Sequence, residues 1–238
     1  MRIIVNVAPL VACCLLVMEG STAVRATEPQ SALVTAGDQL INRFLQSDVP
    51  SLTSYRARRR LEAVTMGGKM SGLVEAWTYI DGDGRLQFDV IREEGSGLVR
   101  HRVLLKALQT EQDNYNRGEV RKVELNRDNY DFRVGPSSGH FATIDMQPKR
   151  ISPMLLRGTV TVTRDGDVVQ IDGSPSKRPS WWTKRVDIVR RYSRINGIRV
   201  PVEMASRADV RIAGESAFRM TYEYTMINGS PVATFASQ

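Results

Sequence analysis

Cysteine is confined to Cys13 and Cys14, and histidine to His101 and His140, in a chain of 238 residues. Once the first segment is set aside, neither disulfides nor thiol chemistry can support the fold. Two isolated histidines exclude most zinc sites and most histidine-based proton transfer. Ser138 lies two residues before His140, but no Gly-x-Ser-x-Gly elbow accompanies the pair and no acidic partner can be assigned. The chain also lacks a Gly-x-x-x-x-Gly-Lys-Ser/Thr phosphate loop. Asp81, Asp83 and Asp89, and again Asp165, Asp167 and Asp172, fall in or beside turns without the closing Glu of a calcium loop. No apolar run reaches the ~20 residues of a membrane-spanning helix. No catalysed reaction, metal or cofactor is therefore expected.

What is present first is an export signal. Met1-Arg2 precedes an apolar stretch from Ile3 to Met18, and a small residue closes the segment at Ala26. This order predicts a secretory leader over residues 1–26 and a periplasmic or otherwise exported domain over residues 27–238. An uncleaved anchor, or a lipid attached at Cys13, are the alternatives. The formal net charge falls from +7 to +6 as the leader takes Arg2 and Arg25 against Glu19. A basic exported protein is drawn to anionic headgroups, and export argues against nucleic acid as a partner.

Hydrophobic spacing then orders the elements. Leu33, Val34, Leu40, Ile41, Phe44 and Leu45 recur with helical period over Pro29 to Ser47. From Ser51 the period falls to two, with Tyr55, Ala57, Leu61 and Ala63 alternating against Arg56, Arg58, Arg60 and Glu62. Ser71–Ile80 and Arg85–Ile91 flank Asp81-Gly82-Asp83-Gly84 and predict a hairpin. Ser96 is placed to cap a second helix, Gly97 to Asp113, with Leu98, His101, Leu104, Leu105 and Leu108 on one face.

Short strands are expected thereafter at Val120–Leu125, Tyr130–Val134, Phe141–Met146, Met154–Thr163, Asp167–Ile171, Val186–Ser193, Ile198–Ser206, Val210–Ala213 and Ala217–Met226. Gly135-Pro136, Asp165-Gly166, Asp172-Gly173, Asn196-Gly197 and Asn228-Gly229 separate strands as turns. The sum is one α+β domain: a large curved antiparallel sheet with an N-terminal helix and an inserted helix.

Two surface features stand out. Arg56, Arg58, Arg59 and Arg60 form the densest basic run, and a strand would turn Arg56, Arg58 and Arg60 to one solvated side. Trp181 and Trp182 are adjacent, so one of them should be exposed near Lys177, Arg178, Lys184 and Arg185, as a membrane-surface or protein contact would use.

Glu75-Ala76-Trp77-Thr78, Gly95-Ser96 with Arg102-Val103-Leu104, and Asn129-Tyr130-Asp131-Phe132 resemble a family of uncharacterised exported bacterial proteins. Ser176-Lys177-Arg178-Pro179-Ser180-Trp181-Trp182 and Gly197-Ile198-Arg199-Val200-Pro201 extend the likeness over about Tyr55 to Tyr224. That family is similar to the LolA/LolB-like superfamily of periplasmic lipoprotein carriers and envelope-stress sensors. The resemblance implies a half-open β-barrel with helices as a lid over a hydrophobic cavity. It identifies no defined ligand contact, and the ordinary carriers are shorter.

A curved sheet with an apolar inner face can also shelter an acyl chain on physical grounds. Val74, Trp77, Leu86, Phe88, Ile144 and Met146 are the inward candidates on strands, with Leu104 and Leu108 on the lid. The reading that follows is non-covalent binding of a lipid, acyl chain or lipoprotein, with an envelope interaction or stress-sensor module as the alternative.

Overall fold

The computed structural model describes residues 36–46, 50–181, 183–211 and 214–233. The expected leader, the first residues of the first helix and Trp182 lie outside them.

Helix α1 (Ala36–Gln46) turns Leu40, Ile41 and Phe44 to the core, as its apolar spacing requires. The strands are β1 (Tyr55–Thr65), β2 (Met70–Ile80), β3 (Leu86–Gly95), β4 (Tyr130–Ser138), β5 (Phe141–Pro148), β6 (Leu156–Thr163), β7 (Val168–Pro175), β8 (Thr183–Ile195), β9 (Ile198–Val210), β10 (Gly214–Ile227) and β11 (Ser230–Pro231). Between β3 and β4 runs α2, composed of Gly97–Val99, a π-helical stretch Arg100–Leu105, and Lys106–Asn116; a 3-10 turn, Glu119–Val123, follows.

All eleven strands form one antiparallel sheet, in the order β3-β2-β1-β10-β9-β8-β7-β6-β5-β4, with β11 paired to β10. The edges β3 and β4 do not pair, so the sheet is curved but open. Register shifts at Arg56/Ala57, Glu75/Ala76, Val134/Ser137, Thr161/Val162 and Arg191/Tyr192 supply local bends.

The two helices cover different halves of one face. The α1 helix packs on β4, with Phe44 edge-on to Phe132 at 5.5 Å, and α2 packs on β1, β2 and β3. A continuous cluster beneath them joins Phe44, Leu61, Val74, Val99, Leu104, Leu108, Ile144, Met146, Ile171, Met204 and Met220. A second, smaller cluster of Ala57, Ile198, Val200, Tyr224 and Ile227 closes one end of the same face.

Five expectations need correction. The α2 helix does not bury Leu98 or His101: both are exposed, and Val99, Leu104, Ala107 and Leu108 face inward instead. Its π-helical stretch advances the hydrogen bonds by one residue, so Val99 and Leu104, five apart, share the buried side that a 3.6 period assigns to three-and-four spacings. Ser96 stands at the helix start, but its hydroxyl makes no capping bond.

Residues 119–123 form a 3-10 turn rather than a strand. Arg150 bonds the Lys122 carbonyl and the Asn129 side chain there, tying the segment to the chain beyond β5. The strands expected at Ile198–Ser206 and Val210–Ala213 are one strand as far as Val210, because Ala208 and Asp209 pair on both sides without a break. Finally, two expected turns are not turns: Asp172-Gly173 lies inside β7, paired with Thr159 and Gly158 of β6 and with Val189 and Ile188 of β8, and Gly135-Pro136 is a bulge inside β4. A Cβ on Gly135 would stand 2.6 Å from Thr143 Oγ1, and proline's missing donor costs little on an edge strand.

Candidate functional site

The covered face is read most directly along one row of paired residues. Ile144, Val160, Ile171, Arg190, Met204, Met220, Leu61 and Val74 stand side by side across β5, β6, β7, β8, β9, β10, β1 and β2. Seven are apolar and one is arginine. Arg190 is buried, and its Nη2 donates to Met204 Sδ at 3.5 Å. Burial works against its charge, but Tyr192 and Tyr222 raise its pKa above the ordinary value.

One step along β1 from Leu61 lies a second buried arginine, Arg59. Strand alternation puts it inward together with Ala57, Leu61 and Ala63, while Arg56, Arg58 and Arg60 face out. Its guanidinium reaches Glu111 of α2, with Nη1 at 2.6 Å from Oε2 and Nη2 at 3.2 Å from Oε1. Nη2 also donates to the Tyr55 hydroxyl at 2.6 Å, and the guanidinium lies 4.6 Å from the centre of the Tyr222 ring. Arg59 Nε has no hydrogen-bond partner among the described residues.

Desolvation opposes the charge on Arg59, yet Glu111, Tyr55 and Tyr222 hold its pKa well above the usual arginine value. Burial pushes the Tyr55, Tyr222 and Tyr224 phenols up, so all three stay protonated at neutral pH. The result is a buried polar belt between the two apolar clusters. Chemically it can donate hydrogen bonds to an anionic oxygen; nothing in it resembles a nucleophile paired with a base.

The expected ligand residues divide over the two faces. Val74, Leu104, Leu108, Ile144 and Met146 meet in the main apolar cluster, and Phe88 packs against it. Leu86 is buried on the same side of the sheet, and its backbone is gripped by α2: Leu86 N donates to Asn116 Oδ1 at 2.9 Å, and Gln112 Nε2 donates to Leu86 O at 3.0 Å. Trp77 is the exception and is corrected here. It lies three residues from Val74, an odd spacing that turns it to the outer face, where the Arg56 guanidinium covers its ring at 4.7 Å. Trp181 is 66% exposed in the β7–β8 connection.

The outer face explains the arginine run. Across the sheet, Gln170, Arg191, Glu203, Thr221, Arg60, Glu75 and Arg92 lie in register, so opposite charges fall on neighbouring strands. Arg191 and Arg219 meet Glu203 at 2.7 and 2.8 Å, and Arg60 meets Glu75 at 3.1 Å. Arg59 and Arg190 are the residues that sequence reading overlooked. The period-two pattern of β1 already contained the signal for Arg59, since it skips from Ala57 to Leu61 over one inward position.

These features define an open antiparallel sheet roofed on one face by two helices. No protein-family model matches the chain, and no curated protein matches it. Among solved structures it is similar to the crystal structure, at 1.75 Å resolution, of a DUF1329 family protein from Desulfovibrio piger ATCC 29098. The identity is 14% and the TM-score 0.41, over 79% of this chain and 90% of that one. A likeness at that level is a distant one and says nothing of function.

Proposed function

We propose that this chain is an exported envelope protein that binds an amphiphile, a lipid, acyl chain or lipoprotein, non-covalently and without catalysis. The observation that carries the reading is the roofed face itself, where a broad apolar lining is interrupted by buried Arg59 with an unpaired Nε. An acyl chain would lie against the apolar lining and an anionic head oxygen would take the free Arg59 donor. Access requires α2 to lift, and the Arg59–Glu111 pair is the contact that must yield. The resemblance to the lipoprotein-carrier superfamily supports the same reading.

Native mass spectrometry of the chain purified without detergent from a bacterial envelope fraction tests it. A bound mass that disappears on solvent extraction is expected, and lipid analysis then names its class. A bare mass that persists after incubation with phospholipids and lipopeptides would overturn the proposal. The second reading, an envelope interaction or stress-sensor module, is favoured by the exposure of Trp181 and predicts a protein cross-linked at that residue.

A further inference from the structure

The antiparallel order sends the β1–β2, β5–β6, β7–β8 and β9–β10 connections and the β3–α2 junction to one end of the sheet, and the remaining hairpin turns to the other. The two ends differ in charge. At the first, residues 66–69, 149–155, 176–181 and 211 contain Lys69, Lys149, Arg150, Lys177, Arg178 and Arg211, and no Asp or Glu. At the second, residues 81–85 and 164–167 contain Asp81, Asp83, Asp165 and Asp167 against Arg85 and Arg164. The turn leading into β4 adds Arg127 and Asp128 to the first end, which cancel. Just inside the strands, Asp209, Asp187 and Asp131 are paired with Lys184, Arg185 and Lys149, Glu93 and Glu94 with Arg100 and Arg92, and the exposed Glu215 offsets one further basic side chain, so the end remains net basic.

The basic end also carries the most exposed large apolar side chains among the described residues: Ile151 at 76%, Trp181 at 66% and Leu98 at 57%. Ile151 and Trp181 stand on two connections that are braced together. Ser152 N donates to Ser176 Oγ at 2.9 Å, Ser176 Oγ donates to Ser152 O at 2.9 Å, and Ser176 N donates to Leu155 O at 2.7 Å. A protein surface in water gains nothing from holding a tryptophan and an isoleucine out on a braced support.

We infer that this end of the sheet docks on an anionic bilayer surface, with Ile151, Trp181 and Leu98 entering the headgroup layer and the surrounding lysines and arginines meeting lipid phosphates. Tryptophan favours that layer because one edge of its ring is polar and the rest is not. Each basic side chain near a negative membrane adds attraction that fades within a Debye length. The inference concerns a different surface from the interior site and stands whether or not that site holds a ligand.

Flotation of the full chain with vesicles of phosphatidylcholine, with and without phosphatidylglycerol, tests the inference. Binding should require phosphatidylglycerol and weaken as salt rises. Lys177→Glu with Arg178→Glu should lower the affinity at least roughly tenfold. Brominated acyl chains should quench the tryptophan fluorescence of the unaltered chain more than that of Trp181→Phe. These positions are exposed, so thermal melts should not move.

Equal flotation with neutral and anionic vesicles would show attachment by another segment, such as the apolar stretch Ile3–Met18, and would overturn the docking surface. Unchanged binding in the charge-reversed variant would overturn it as well. Retention on soluble polyglutamate with no flotation on any vesicle would reassign the basic end to an acidic polymer.

Discussion

Arg59 on β1 and Glu111 on α2 form a two-point ion pair, closest at 2.6 Å, in which the arginine side chain is 3% exposed and the glutamate 17%. Two hydrogen bonds thus fasten the roof to the sheet at its middle. Removing one partner leaves the other charge buried alone, so Glu111→Ala should cost about 3–5 kcal/mol in urea unfolding. Replacing both, as Arg59→Met with Glu111→Leu, should recover most of that loss, since a fitted apolar pair is often neutral or better. If the double variant were no more stable than Glu111→Ala, the pair would not be the energetic link between α2 and β1.

Trp77 and Phe88 belong to opposite faces, and their variants should separate stability from binding. Trp77→Ala loses the Arg56 cation–π contact, worth about 0.5–1 kcal/mol at a partly exposed site, and should leave lipid uptake unchanged. Phe88→Asp places a charge beside the main cluster and should abolish uptake. Uptake measured with a fluorescent fatty acid decides: loss in the tryptophan variant would move the ligand to the outer face.

Gly166 lets the β6–β7 turn approach α1. Its φ is +82°, and an added Cβ would stand 2.6 Å from Phe44 N and 2.7 Å from Arg43 C. Gly166→Ala should therefore destabilise the chain by roughly 1–3 kcal/mol and loosen α1 first. Limited proteolysis should cut near α1 sooner in the variant; an unchanged pattern would mean that α1 is held by other contacts alone.

Glu203 gives a pH signature. Burial alone would raise its pKa, but hydrogen bonds from Arg191 and Arg219 outweigh burial and hold it below the ordinary 4.5. A depressed carboxyl contributes its full stability above pH 4.5 and loses it as pH falls through the folded-state value. The unaltered chain should thus lose stability more steeply below that pH than Glu203→Gln, measured as the thermal midpoint against pH. Parallel curves would show that the Arg191–Glu203–Arg219 network adds nothing.

Much of the fold was legible because β-strands write their environment with period two. The outward Arg56, Arg58 and Arg60, the hairpin at Asp81-Gly82-Asp83-Gly84 and the amphipathic face of α1 all follow from local spacing and turn chemistry. The site was legible in part. The odd spacing of Val74 and Trp77 forbids the shared inward face that the sequence reading gives them, while Arg59, named there only as part of the basic run, is placed inward by its even spacing from Ala57 and Leu61.

By itself the sequence determined most of the strands and the tight hairpin turns, the helical character of α1 and α2, and the charges carried by each connection. Those depend on neighbours a few residues apart. Tertiary structure alone decided that β1 pairs with β10 while the edges β3 and β4 stay apart, that α2 takes a π-helical turn, and that Arg59 meets Glu111 across more than fifty residues of chain. Each is a choice among locally equivalent arrangements, settled by which one buries apolar surface while satisfying the charges carried in with it.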